Sequence, residues 1–290
     1  MSLFVKQAAL MMSIQDGGRW GYLRYGMPES GPMDWWAFRG ANLLVGNTLK
    51  CACLEVGFSS AELVAEADAL MALCGSGFRL FLNSREMPLW MAFLVRSGDC
   101  LRIEKVSGGN WVYLAVKGGF RTNKWMGSRS VYPRGGLGGL VAEGDTLPVA
   151  AFESRSRQLS GHAIPTSAQP NYGRNTLISV IPGPHQNRFQ ADSLVAFWKN
   201  AYTVSPQSDR MGYRLVGPSL VHKAGADLVS QAMIMGEIQV PGDGQPIVMM
   251  SDHPTSGGYT CIGTVAIMDL PLVAQAQPGE PQLRFQPIEV

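Results

Sequence analysis

Polar side chains set among glycines carry what chemistry this chain can be read to hold. Near the start, Gln15-Asp16-Gly17-Gly18-Arg19 precedes Glu29-Ser30-Gly31-Pro32-Met33-Asp34, and Gly127-Ser128-Arg129-Ser130 repeats the pattern further on. A second set follows: Asp209, Arg210 and Arg214 in VSPQSDRMGYRLVGP, then Gln239, Asp252 and the run Ser256-Gly257-Gly258-Tyr259. Glycine lets a ligand approach the backbone, and a guanidinium forks onto a carboxylate or phosphate. Such clusters suit a planar, anionic or amide-like ligand. For any single cluster the alternative, a buried Arg–Asp staple that holds a loop, is the preferred reading, and for Arg210, Arg214 and Asp209 the two readings balance.

Other chemistries lack their residues. No G-x-S-x-G elbow occurs, and His162, His185, His222 and His253 are too dispersed for a zinc motif. The run Arg134-Gly135-Gly136-Leu137-Gly138-Gly139 lacks the Lys-Ser/Thr of a phosphate loop and reads as a turn. Cys51, Cys53, Cys74, Cys100 and Cys261 are odd in number and sit mostly in apolar runs, as reduced thiols do, and no metal is expected. A formal charge of +2 is too small to mark a nucleic-acid surface, and no apolar run is long enough to cross a bilayer. A secretory leader is not evident, so the expected location is the cytoplasm.

The elements that must position these clusters are mainly strands. Short β-branched, aromatic and aliphatic runs separated by Gly and Pro predict strands at 70–74, 100–106, 111–116, 177–181, 228–234, 247–251, 264–268 and 283–288. Ser97-Gly98-Asp99, Glu143-Gly144-Asp145 and Pro278-Gly279-Glu280 read as turns, with an acid bonding the turn backbone. Helices are few: one capped by Asp34 and ended by Gly46-Asn47, another over 191–200 with Leu194, Phe197 and Trp198 on one face. A polar, proline-bearing stretch between Arg155 and Asn175 places a boundary, giving subdomains 1–160 and 161–290.

The clusters together resemble the family known as allophanate hydrolase subunit 2, biotin-dependent carboxyltransferase, KipA or the C-type subunit of 5-oxoprolinase. The matching motifs are SIQDGGRWGY (13–22), ESGPMD (29–34), ANLLVGN (41–47), LEVGF (54–58), YLAVKGGF (113–120), MGSRS (126–130), VSPQSDRMGYRLVGP (204–218), GEIQVPGDGQPIVMMSD (236–252) and TSGGYT (255–260). The resemblance implies a cyclophilin-like β-barrel architecture in two subdomains, the second being the barrel. It also implies a companion of the KipI type, the B-type subunit of 5-oxoprolinase, together with an A-type subunit, and ATP-dependent opening of 5-oxoproline to glutamate by the complex. In relatives such as urea amidolyase it implies carboxyl transfer from biotin to urea, and the KipA name implies a regulatory module acting on a kinase. The sequence holds neither an A-M-K-M biotin segment nor an ATP fingerprint, so biotin would arrive on a separate carrier and ATP would bind on or with a partner.

Within that frame Arg210, Arg214 and Gln239, with the backbone of Gly257 and Gly258, are the candidates to stabilise developing negative charge, oriented by Asp209 and Asp252. Gln15, Asp16, Arg19, Ser128, Arg129, Gly257, Gly258 and Tyr259 are the candidates to bind substrate. The chain departs from the family pattern at Pro254, Gln231 and Gly139, where Gln, Glu and Arg are expected, which removes an amide, a carboxylate and a guanidinium.

Overall fold

The computed structural model describes residues 1–173, 176–279 and 281–288. By packing, the chain divides into unit 1, Met1–Arg19 with Ser30–Asn171, and unit 2, Trp20–Glu29 with Tyr172–Val290.

Unit 1 contains β1 (Ser2–Gln7), β2 (Met11–Gln15), α1 (Trp35–Leu44), β3 (Cys53–Gly57), β4 (Ala61–Ala65), β5 (Ala69–Gly75), β6 (Phe78–Leu82), β7 (Arg85–Met87), β8 (Ala92–Val95), β9 (Cys100–Lys105), β10 (Trp111–Val116) and β11 (Thr146–Pro148). One sheet runs β11-β1-β4-β9-β6-β7 and the other β2-β3-β10-β5-β8. Side chains alternate along a strand, so Leu54, Val56, Leu73, Val112 and Leu114 face Leu3, Val5, Leu63 and Leu101 of the first sheet in one apolar core. The intervening residues of β5 and β10 face α1, and both strands are buried throughout.

That outer face is partly polar, and the polarity has a use. Tyr113 donates its hydroxyl hydrogen to Glu55 (2.7 Å) and accepts the Asp34 amide (2.8 Å), while Glu55 also accepts the Met33 amide (3.0 Å). Asp34 in turn caps α1 by accepting from the Ala37 amide at 3.0 Å. The motifs LEVGF and YLAVKGGF thus pin the ESGPMD loop. Burial, with Glu55 and Asp34 nearby, pushes the Tyr113 phenol well above its ordinary range.

Unit 2 contains β12 (Thr176–Pro182), α2 (Ala191–Lys199), β13 (Ala201–Val204), β14 (Gly212–Val216), β15 (Asp227–Ala232), β16 (Glu237–Val240), β17 (Ile247–Met249), β18 (Ser256–Val265), α3 (Leu270–Gln275) and β19 (Pro281–Pro287). The order β12-β19-β13-β14-β17-β16-β18 closes on itself because β18 also pairs with β12, making a seven-stranded barrel. Closure removes the open edges of the sheet, and among the described residues β15 alone hangs outside the ring, on β18. Phe197 of α2 stacks on Phe285 of β19 at 4.9 Å, and Tyr213 donates to the Ala274 carbonyl of α3 at 2.9 Å.

The mainly β expectation holds, with local corrections. The strand expected at 264–268 is the end of β18, which starts at Ser256, and residues 266–268 lie beyond it. The strand expected to reach Ile234 stops at Ala232. Helix α3 is not among the helices the sequence predicts. Gly98 and Gly144 take left-handed φ of 90° and 88°, and Asp99 and Asp145 accept the Arg96 and Ala142 amides as those turns require. Glu280 of the third turn lies outside the described residues. All five cysteines are free thiols. Among the described residues no helix is long and apolar enough to cross a membrane.

Candidate functional site

In unit 1 the end of β2 and the loop after it are tied to a segment more than a hundred residues away. Asp16 accepts hydrogen bonds from the Gly18 amide (3.0 Å), the Arg129 amide (2.6 Å), the Ser130 hydroxyl (2.9 Å) and the Ser128 hydroxyl. Its carboxylate therefore has donors on both oxygens. Gln15, fully buried, donates to Ser13 (3.0 Å) and accepts the Gly31 amide (3.2 Å). Arg19, 1% exposed, donates to the Ser30 hydroxyl (2.8 Å) and to the Ser130 carbonyl. Gly31 is required here: its φ is +90°, and a Cβ would stand 3.3 Å from the Asp16 carbonyl oxygen.

This knot forms part of a cleft of about 320 Å³. Asp16 and Arg129 line it directly, whereas Gln15, Arg19 and Ser128 brace the loops that do. Gly17, Gly18, Gly118 and Gly127 supply bare backbone, and Lys50, Arg121 and Lys124 join Arg129 as cationic side chains. Burial pushes the Cys51 thiol in the same cleft up, while Arg121 and Arg129 act the other way. Sequence reasoning missed Lys50, Arg121 and Lys124. Each stands just beyond a quoted motif, at an exposed position that reads as ordinary solvated surface.

In unit 2 the structure joins Arg210 to Asp252. Nε lies 2.8 Å from one carboxylate oxygen and Nη2 3.2 Å from the other, with the residues 5% and 4% exposed. The Asp252 amide also donates to the Arg210 carbonyl at 2.8 Å, so side chains and backbone fasten the same two loops. Asp209 accepts the Met211 amide at 2.8 Å and so closes a turn within its own loop. Arg214 is exposed on β14, with its amide donating to Ser208 at 3.0 Å.

Gln239 is buried on β16 beside Gly257. A Cβ on Gly257 would fall 2.4 Å from Met233 Sδ and 2.9 Å from the Gln239 amide nitrogen. One on Gly258 would fall 2.9 Å from the Leu228 carbonyl oxygen, so both glycines serve close packing. Tyr259 is exposed, and Gln231 stands opposite Gly257 on β15. His253 is buried and holds the Pro254 carbonyl at 2.7 Å, an acceptor only, so Nδ1 carries the hydrogen. Burial lowers the His253 pKa, and burial raises that of the partly buried Glu237. Among the described residues no group of His, Cys, Asp and Glu has the arrangement of a metal site.

Chemically, the cleft of unit 1 offers cationic side chains and bare backbone, an arrangement suited to stabilising negative charge, whereas in unit 2 Arg210 is paired with Asp252 and Gly257 and Gly258 serve close packing.

The model of one family, the carboxyltransferase domain with its subdomains A and B, matches residues 25–287. The chain is 34% identical to the C-type subunit of 5-oxoprolinase from Escherichia coli over 96% of this chain and 89% of that protein. It is 32% identical to urea amidolyase of Lachancea kluyveri over 95% of this chain and 16% of that enzyme. Its fold superimposes on the crystal structure of the K. lactis urea amidolyase with a TM-score of 0.91 at 30% identity, covering 99% of this chain and 19% of that one. The chain therefore spans most of the bacterial relative and under a fifth of either amidolyase. On the extent of that match and on the barrel that underlies it, the chain belongs to the family of carboxyltransferase domains built from subdomains A and B.

Proposed function

We propose that this chain works as the C-type subunit of an ATP-dependent 5-oxoprolinase, opening 5-oxoproline to glutamate together with a companion of the KipI or B type and an A-type subunit. The observation that carries the proposal is extent: nearly all of this chain aligns with nearly all of the corresponding E. coli 5-oxoprolinase subunit. The geometry is compatible with a shared reaction. The chain contributes cations and backbone to stabilise charge, and ATP bound elsewhere in the complex supplies the driving force for amide opening. In this reading Asp16 and Arg129 serve in the cleft of unit 1, and Arg210 with Asp252 holds the shape of unit 2.

The test is ADP release from ATP by the chain mixed with its companion subunits, with and without 5-oxoproline, and with this chain left out. Release that depends on both supports the proposal; release indifferent to this chain refutes it. A second reading, carboxyl transfer from a biotin carrier to urea or a related amide, is favoured by the superposition on the K. lactis amidolyase. It is tested by carboxylation of urea with a biotinylated carrier and its carboxylase.

A further inference from the structure

We infer that the cleft of unit 1 is an oxyanion site, which takes the carboxylate or phosphoryl end of a small molecule and discriminates against a neutral amide. Lys50, Arg121, Lys124 and Arg129 bring four cations to a cleft of about 320 Å³, and among the described residues Asp16 is the one acid in its lining. That acid is already held by four donors, with Gly18, Ser128 and Ser130 on one oxygen and the Arg129 amide on the other. Elsewhere arginines of this chain meet acids, as in Arg210–Asp252, Arg102–Glu104 and Arg155–Glu153. Among the described residues none of Lys50, Arg121 and Lys124 forms such a pair. Uncompensated cations in a concave site focus positive potential where a ligand would sit.

Two further observations place that field inside the cleft. A Cβ on Gly17 would stand 2.7 Å from Lys50 Cγ, so the missing side chain is what lets the lysine stem lie against the Asp16–Gly18 loop. Cys51, partly buried in the same cleft, feels both Arg121 and Arg129. A guanidinium or ammonium bonded to an oxyanion makes the stronger class of hydrogen bond, and the volume lies at the small end of ligand pockets. Only the identity of the ligand rests on the proposed function: 5-oxoproline carries a carboxylate, and phosphate or bicarbonate would present the same oxygens without it.

The experiment is titration calorimetry on the whole chain at low and high salt with four probes: 5-oxoproline, its neutral counterpart 2-pyrrolidinone, inorganic phosphate and bicarbonate. Arg121→Gln and Lys124→Gln remove exposed charges of the cleft, and Arg85→Gln, exposed in unit 1 and outside the cleft, is the control. Each cleft variant is expected to weaken oxyanion binding about ten- to a hundredfold at low salt, with the control unchanged. A bound oxyanion is also expected to slow alkylation of Cys51 by a neutral maleimide, read on its peptide by mass spectrometry. If 5-oxoproline binds and 2-pyrrolidinone does not, the carboxylate is the ligand group. If phosphate or bicarbonate binds in the variant-dependent way and 5-oxoproline does not, the oxyanion site stands and 5-oxoproline is not its ligand. Absence of oxyanion binding at low salt, equal binding of 2-pyrrolidinone and 5-oxoproline, or affinities unmoved by both cleft variants overturns the inference.

Discussion

Replacing Arg210 by alanine separates a ligand-handling arginine from a structural one. In the structure its guanidinium meets both oxygens of Asp252, at 2.8 and 3.2 Å, with each residue about 95% buried. Truncation leaves the Asp252 carboxylate desolvated without its counter-charge, which costs about 3–5 kcal/mol when a buried pair is broken on one side. At roughly 4 °C per kcal/mol for a unit of this size, the unfolding temperature of unit 2 is expected to fall by about 12–20 °C. Scanning calorimetry reads the shift. The double variant Arg210→Met with Asp252→Leu provides the control, because replacing both charges with apolar groups of similar volume removes the orphaned carboxylate and recovers most of the stability. An Arg210→Ala chain that melts within about 2 °C of the parent, yet abolishes ADP release in the complex, would refute this reasoning and return Arg210 to the reaction.

Other expectations follow from the same contacts. Tyr113→Phe removes the donor to Glu55 and the acceptor of the Asp34 amide, so equilibrium denaturation is expected to show a loss of about 1–3 kcal/mol, with an unchanged loss at high salt. Burial raises the folded-state pKa of Tyr113, Cys53 and Cys74, so above about pH 9 the unfolded chain sheds protons that the native one keeps. Stability is then full below that pH and declines as pH rises, and a denaturation series from pH 8 to 11 that stays flat contradicts it. Burial lowers the folded-state pKa of His253, with His185 and His222 shifted the same way, so below about pH 6.5 the unfolded chain binds more protons and stability falls with pH. Replacing His253 with Gln is expected to shallow that acid slope. Gly75→Ala, at φ +138° and with a Cβ 2.3 Å from the Trp111 carbonyl oxygen, is expected to cost more than about 2 kcal/mol, whereas Gly21→Ala, with open space around it, carries only the strain of its φ of +89°.

What the sequence disclosed depended on whether local chemistry or distant packing decided each element. Helix α1 was legible because Asp34 is a cap by side-chain type and Gly46 a terminator, and both act within a few residues. Helix α3 was not. It has six residues, begins beside a proline and is buried nearly all round, so it has no polar face to set a period. The first eight residues of β18 were hidden, the strand opening with Gly257 and Gly258, which break an apolar pattern and read as loop. Their reason for being in a strand is the closeness of Met233 and the Leu228 carbonyl, elements far away in sequence. The barrel's closure is likewise a matter of β18 pairing with both β12 and β16, which no local pattern encodes.

The same division applies to the candidate site and explains why motifs and chemistry do not coincide residue for residue. The quoted motifs contribute the residues that hold backbone in place: Asp16 with Ser128 and Ser130, Arg19 with Ser30, Glu55 with Tyr113, Arg210 with Asp252. Such residues must be particular in type, because each buried donor or acceptor needs its partner at hydrogen-bond distance, and that makes them conspicuous in a sequence. Lys50, Arg121 and Lys124 have no such constraint. They lie three residues after ANLLVGN, one after YLAVKGGF and two before MGSRS, where a frame fixed by the motifs presents their charges to the cleft. In this arrangement the frame can stay constant while the flanking cations set which small molecule is held. Exchanging the three for neutral side chains is therefore expected to leave the melting temperature within about 2 °C of the parent while removing oxyanion binding. A loss of stability equal to that of Asp16→Ala would show that frame and ligand site are not separable.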